Sequence, residues 1–257
     1  MYTQAQKKFR PSKLGDIEAQ LAAVARTGHP IRRVFLADGD AMCLSPRRLN
    51  EILDLINKYL PSVERISSYC LPANLKNKSV DDLRQLREKK LMLMYVGCES
   101  GDDEVLAIVE KGETYQSSLD ALTKIKQAGM QSSVMILNGL GGSRYSKQHA
   151  VNSAKLMNDA QPEYLSTLVV SFPMGTRRFA KNFNDDFKQL NQPQLFEEMK
   201  WLLGTLELEN TVFRSDHASN YLILRGTLGA DKPRLLQQVN DALAGRVPLR
   251  QEWQRGL

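Results

Sequence analysis

The sequence predicts an α/β fold: a partial (β/α) barrel of about five parallel strands with a small C-terminal α+β extension. Three observations carry this reading. Apolar runs begin near residues 33, 63, 91, 131 and 164, about 30 residues apart, and helix-period segments fill the gaps. Regular βα units of this kind build parallel sheets with right-handed crossovers. Finally, the run at 33–42, RVFLADGDAM, passes from a buried strand straight into two carboxylates around a glycine. In α/β sheets the carboxyl ends of the strands are where ligands bind.

Residues 16–27 read as a helix, with Ile17, Leu21 and Val24 on one face and Gly28 as its stop. After the strand at 34–37, Ser45 supplies an N-cap and Pro46 the first helical position. Leu49, Ile52, Leu53, Ile56 and Tyr59 then repeat at helical spacing until Pro61. Strand 63–69 follows, then a short helix opened by Ser79 with Asp82 and running to Leu86, then strand 91–96, apolar throughout as for a strand covered on both faces. Helices are expected at 103–109 and 116–128, the second capped by Gly129. Strand 131–137 ends in a glycine-rich loop, 147–159 is helical, and strand 164–172 leads into Pro173. Beyond Asp185 the pattern changes to a helix at 194–206, a small hairpin with strands at 211–213 and 221–224, and a last helix at 231–244. Residues 1–184 therefore read as the barrel and 185–257 as an extension packed on it.

Hydrophobic residues make up 42% of the 257 and charged residues 25%, as in an ordinary globular protein. The net charge of +6 permits an acidic partner, but Lys and Arg are scattered among acids rather than clustered, which disfavours nucleic acid. No apolar run reaches 18 residues, and the basic N-terminus has no apolar segment behind it, so neither a membrane span nor a secretory signal is expected. A cytoplasmic protein is the default expectation. Cys43, Cys70 and Cys98 lie 27 and 28 residues apart, far from zinc spacing, and read as reduced thiols.

Candidate site residues gather at the strand ends. Asp38, Gly39 and Asp40 follow the first strand, Glu99 and Ser100 the third (YVGCESG), and Asn138, Gly139 and Gly141 the fourth (ILNGLGG), where glycine lets backbone approach a ligand closely. Lys111 lies beyond the next helix in EKGET. Each has a plainer reading. Asp38 and Asp40 suit a turn, Glu99 and Ser100 a helix cap, Lys111 a solvated charge beside Glu110 and Glu113, and the glycines a loop. His217 could face a substrate or sit in a turn, His149 could do the same from a helix surface, and His29 reads as structural. Three thiols near strand ends could converge on a metal, against the commoner reading of small buried cysteines.

Taken in order, DGDAM, YVGCESG, EKGET and ILNGLGG, with a later HASNYL...GTL...DK segment, resemble the radical S-adenosylmethionine superfamily along essentially the whole chain. The resemblance implies a partial (β/α)6 barrel, here without its first strand. It also implies a [4Fe-4S] cluster on a CxxxCxxC loop and adenosylmethionine cleaved to a 5′-deoxyadenosyl radical for hydrogen abstraction. By position, Asp38, Gly39 and Asp40 would accept hydrogen bonds from the methionine amino group, with Asp40 one methylene shorter than the family's usual glutamate. Glu99 and Ser100 would hold the ribose diol, Lys111 would neutralise the methionine carboxylate, and 138–141 would offer backbone to adenine, without the glutamate that often follows. The CxxxCxxC itself is absent from the 257 residues. The family's pattern places it just before Met1, so the expectation is a chain that starts at an internal Met and is inactive alone. A reductant protein and a small-molecule substrate are the implied partners of an active form.

Two other readings stay open. A βα-barrel enzyme could bind a phosphorylated metabolite on the amides of 138–142, or a non-catalytic scaffold could have kept the fold and lost the cluster. A sheet that lacks its first strand exposes an edge, and self-association through it is expected.

Overall fold

The computed structural model describes residues 10–37, 39–172, 175–184 and 186–255. They form nine helices and seven strands, in the order α1 (Leu14–Ala25), β1 (Arg33–Leu36), α2 (Pro46–Tyr59), β2 (Arg65–Cys70), α3 (Val80–Glu88), β3 (Leu91–Glu99), α4 (Asp103–Ile108), α5 (Tyr115–Gln127), β4 (Gln131–Asn138), α6 (Gly142–Ala160), β5 (Tyr164–Val169), α7 (Arg177–Asn182), α8 (Gln192–Thr205), β6 (Val212–Ser215), β7 (Leu224–Thr227) and α9 (Lys232–Leu243). The strands form one mostly parallel sheet in sequence order, with β1 and β7 at its edges; it does not close on itself. β1–β2, β4–β5 and β5–β6 pair parallel, and β6–β7 antiparallel. No helix among the described residues is long and apolar enough to cross a membrane.

The chain divides into two compact units, Met1–Tyr95 with Lys124–Gln131, and Val96–Thr123 with Ser132–Leu257. Within the first, α2 turns Leu49, Ile52, Leu53 and Ile56 inward, as their spacing requires. Ser45 caps it by accepting from Arg48 N, and Pro46 follows at the first turn. α3 opens with a capping box in which Ser79 and Asp82 satisfy each other's backbone amides. Phe35, Tyr69 and Tyr95 project from one face of the strands and pack edge to face or tilted, with centroids 4.8–6.3 Å apart, and Phe35 and Tyr69 remain exposed.

In the second unit β4 alternates half-buried and buried along its whole length. Ser132, Val134, Ile136 and Asn138 are covered, whereas Ser133, Met135 and Leu137 are open. β3 likewise alternates toward its carboxyl end, with Gly97 and Glu99 half-buried between the fully covered Val96, Cys98 and Ser100. Over 91–96, the stretch expected to be covered on both faces, β3 has four buried and two half-buried residues and none exposed. The two hairpin strands expected as a separate extension join the main sheet. The pair from the C-terminal extension continues the main sheet through β5–β6, because Phe213 and Leu224 supply buried side chains in register with it.

Several boundaries move for local reasons. β3 runs on to Glu99, so Cys98 lies inside the strand. Helix α6 begins at Gly142, not near Lys147. The second hairpin strand starts at Leu224, not Tyr221, because Asn220 is held on the end of β5, its Nδ2 donating to Thr167 O and its Oδ1 accepting from Val169 N. Helix α7 was not anticipated; Phe183 just after it packs with Tyr145, Val105 and Leu140, and Phe179 and Phe187 lie against that cluster.

Gly101, after β3, lies against α6 so closely that a Cβ there would come 2.5 Å from Asn152 O and 2.8 Å from Ser153 Cα. Backbone on the facing helix has nowhere to go. Gly101→Ala should therefore destabilise the protein by about 2–3 kcal/mol, as overpacking does, read as a lower urea midpoint with an unchanged m-value.

Candidate functional site

The carboxyl ends of the strands carry the candidate residues, and each unit holds its own group. In the first unit Asp38 lies outside the described residues. Gly39 has φ 146°, a conformation that L side chains rarely adopt. Asp40 N-caps the short 3₁₀ turn Ala41–Cys43, its Oδ1 accepting from Met42 N at 2.9 Å. Its Oδ2 accepts from Leu71 N at 2.7 Å and from Asn74 Nδ2. The carboxylate thus ties the loop after β1 to the loop after β2, and most of its acceptor capacity is used. Burial pushes its pKa up, against the pull of the Leu71 and Met42 amides, Asn74 and the Lys78 charge. Lys78, itself buried, donates to Met42 O at 2.7 Å and Asn74 O at 3.0 Å, and desolvation lowers its pKa. Lys124 donates to the carbonyls of Leu75, Lys76 and Lys78. Asn74, Lys78 and Lys124 were not anticipated, and nothing in their local pattern, NLKNKS and LTKIKQ, distinguishes them from surface residues.

In the second unit Glu99 and Lys111 are brought together. Lys111 Nζ lies 2.6 Å from Glu99 Oε1, with the lysine side chain only 11% exposed. Lys111 is therefore a partnered, largely buried cation rather than a solvated one. Glu99 occupies the left-handed region at φ 65°, where a residue with a Cβ is strained. Gly97 stands beside both; a Cβ there would lie 3.6 Å from Glu99 Oε1 and 3.8 Å from Lys111 Nζ. Glu99 Oε2 makes no hydrogen bond among the described residues.

Ser100 points elsewhere. It is fully buried, its Oγ 2.8 Å from His149 Nδ1 and accepting from Asp102 N at 3.0 Å. His149 Nε2 meets Leu137 O at 3.0 Å, and since a carbonyl only accepts, Nε2 carries a proton. His149 is consequently a core residue. Asp102 caps α4 by accepting from Val105 N, and receives Asn152 and Gln148 from α6.

At the end of β4, Asn138 is buried and its Oδ1 has no hydrogen-bond partner among the described residues. An acceptor left so costs about 1–3 kcal/mol unless a ligand or water supplies a donor. Gly139 follows at φ 85°; a Cβ there would come 3.2 Å from Leu195 Cδ2 and 3.3 Å from Val170 Cγ1. At Gly141 a Cβ would meet the Tyr145 Cβ at 2.9 Å. The glycines thus serve close packing under the loop as well as its turn.

The loop is held from below by Glu198 of α8, a residue the sequence reading missed. Glu198 is 1% exposed; Oε1 accepts from Gly139 N at 2.6 Å, Oε2 from Ser146 Oγ at 2.5 Å, and Oε1 lies 4.0 Å from His149 Nε2. Its signal was available. Leu195, Met199 and Leu202 form the buried stripe of α8, and Glu198 falls on the same stripe. Burial raises its pKa despite His149, Ser146 and the Gly139 amide, which pull it down. His217 closes a local turn, its Nδ1 paired with Ser219 Oγ and N.

Among the described residues no group of three or more His, Cys, Asp or Glu could hold a metal ion. Cys70 and Cys98 are buried, and burial pushes the Cys98 thiol up to about 12, far from the thiolate a metal needs. The donor set of the described residues, which include all three cysteines, therefore does not fit a [4Fe-4S] cluster.

Comparison with known proteins adds the following. A family model described as "Radical SAM superfamily" matches residues 2–156. The chain is 23% identical over 156 residues to the heme chaperone HemW of Bacillus subtilis, an alignment covering 60% of this chain and 41% of that protein. Among solved structures it is similar to Escherichia coli coproporphyrinogen III oxidase HemN, a radical SAM enzyme, at TM-score 0.60 and 15% identity, covering 74% of this chain and 44% of HemN. It is also similar to Elp3 of Methanocaldococcus infernus, at TM-score 0.55 and 14% identity, covering 91% of this chain and 60% of the other. The chain thus spans less than half the length of HemW and HemN.

Glu198 generates a signed pH dependence. Its folded pKa lies above its unfolded value near 4.5, so its stabilising contribution is fully present below pH 4.5 and is lost as pH rises through the folded pKa. Glu198→Gln keeps an acceptor for Gly139 N and cannot ionise. The unfolding free energy of the wild type relative to this variant should fall as pH rises from about 4 toward 8; a difference that stays flat across that range would refute the assignment.

Proposed function

The chain belongs to the radical SAM superfamily, and from that premise we propose that it is the adenosylmethionine-binding core of a radical enzyme. Members of the superfamily bind S-adenosylmethionine and a [4Fe-4S] cluster. The donor set described above does not fit the cluster, so no step is derived through it, and the chain alone is inactive in this reading. An active form would require cluster ligands from outside these 257 residues, a reductant protein and a small-molecule substrate.

The observation that carries the reading is the strained Glu99 at the end of β3. A glutamate held in the left-handed region by an ion pair persists where the surroundings over-determine it, and such strain gathers at ligand-binding positions. Its free Oε2 suits a ribose diol, as two hydroxyl donors to a carboxylate. Lys111 then acts on Glu99, fixing its rotamer, instead of meeting the methionine carboxylate. Ser100 supports the same strand end from inside the core through His149. Asn138 Oδ1, buried and unpartnered, offers an acceptor next to the backbone of Gly139 and Gly141, where an adenine amino group would supply the missing donor. Gly39 and Asp40 serve the methionine amino group in this reading, with Asp40 contributing the acceptor capacity its own loop leaves.

Titration calorimetry with adenosylmethionine tests this. Glu99→Gln and Lys111→Met should each weaken binding about tenfold, or about 1.4 kcal/mol, with folding intact by circular dichroism. Binding by Glu99→Gln as tight as by the wild type would sink the site, and sustained 5′-deoxyadenosine formation by this chain with iron, sulfide and reductant would sink the inactivity.

The scaffold reading draws on one observation, the edge position of β1, whose exposed Arg33 and Phe35 flank unpaired backbone. Such an edge recruits another strand. Sedimentation velocity should show association that grows with concentration, and a clean monomer across a hundredfold range would count against it.

A further inference from the structure

The HASNY loop and the C-terminal residues, which the proposed function leaves unused, enclose a cavity of about 320 Å³ in the second unit. Val169, Val170, Phe172, Leu190 and Leu195 supply its apolar walls, and Tyr221, Glu252 and Arg255 are its charged and phenolic side. The volume falls at the small end of the range for ligand pockets. An adjoining cleft shares Val169, Leu195 and Tyr221 and contains Asn138 in its lining.

Arg255 makes this cavity a built site. Its side chain is only 5% exposed, its guanidinium carbon lies 3.6 Å from the Tyr221 ring centroid, and Nε donates to Ser219 O at 3.0 Å. Nη1 is spent on Glu252, at 2.8 Å to each oxygen. Nη2 makes no hydrogen bond among the described residues. Glu252, by contrast, is 71% exposed, so its hold on the guanidinium is screened by water and weak. A desolvated guanidinium with an open donor, fixed by stacking, prefers an anion that can take two parallel N–H bonds.

We propose that this cavity binds a small organic anion, a carboxylate or a phosphate monoester with an apolar body, and that Arg255 receives the anionic group while Val169, Phe172 and Leu195 cover the rest. Glu252 is the gate charge: it neutralises Arg255 when the cavity is empty and competes with the ligand when it fills. Glu99 and Lys111 take no part in this site, whereas Asn138, assigned above to adenine, lines the adjoining cleft, so the anions are titrated without adenosylmethionine.

The test uses the full chain, with amide chemical shifts of Val169, Val170 and Tyr221 as the readout. Benzoate, phenyl phosphate and neutral benzyl alcohol are the probes. At least one of the anions should shift these amides saturably, benzyl alcohol should not, and the anion that binds identifies the headgroup. Arg255→Gln should weaken the anion about tenfold, while Glu252→Gln, a change at an exposed side chain that leaves the fold intact, should tighten it several-fold. The opposite signs keep the test decisive even if Arg255→Gln disturbs the C-terminal turn. Equal binding of benzyl alcohol, no saturable shift with either anion, or weaker binding by Glu252→Gln would overturn the proposal.

Discussion

Where a parallel strand ends, the chain leaves the ladder while still inside the protein, and the backbone groups released there must find partners. This constraint shapes the ends of β1, β3, β4 and β5. Asp40 answers it after β1 by receiving Met42 N and Leu71 N on one carboxylate. Glu198 answers it after β4 by receiving Gly139 N, and Asn220 answers it after β5 by receiving Val169 N and capping Thr167 O. After β3 the partners are Ser100 and Ser153, which receive Asp102 N and Gly101 N. Each of these ends has at least one partner from a distant segment, Leu71 N to Asp40, Gly101 N to Ser153, Gly139 N to Glu198 and Val169 N to Asn220, beside the local turn bonds of Asp40 and Ser100.

That arrangement explains which parts of the molecule were legible in the sequence. Helix α2 and the cap of α3 were readable because their information is local: an N-cap, a proline, a stripe of aliphatics, a serine three residues before an aspartate. The alternation of βα units was readable for the same reason. The strand ends were not, since the residue that settles each one lies 30 to 60 positions away. Nothing in NGLGG announces that Glu198 will hold its first glycine. Nothing around Tyr221 announces that Asn220 is tied to β5 and delays the hairpin by three residues. The one residue that could have been found, Glu198, betrays itself as a carboxylate on an otherwise apolar helix face.

The same logic changes the meaning of the motif residues. Ser100 and His149 look like site chemistry in the sequence, yet they form the buried post on which the end of β3 rests. Glu99, immediately before Ser100, lies in the left-handed region, while Ser100 turns into the core and Gly101 lies against α6. Lys111 completes the placement by charge. Of Glu99, Ser100, Lys111 and His149, the fold buries Ser100 and His149 in the core and pairs Glu99 with Lys111.

A buried carboxylate and a buried guanidinium mark the two faces of this economy. Glu198 is enclosed with short hydrogen bonds to the loop it supports, and its desolvation is offset by Gly139 N, Ser146 Oγ and nearby His149. Arg255 is enclosed with an exposed, screened partner and one open amino group. Removing a charge from the first site leaves its hydrogen-bonding geometry satisfiable by an amide. Removing the exposed partner of the second leaves a buried cation looking for an anion. A group whose needs the fold meets completely is architectural, and a group whose needs it meets only from the solvent side is available to a ligand. That contrast in satisfaction, more than residue type, separates support from site in this protein.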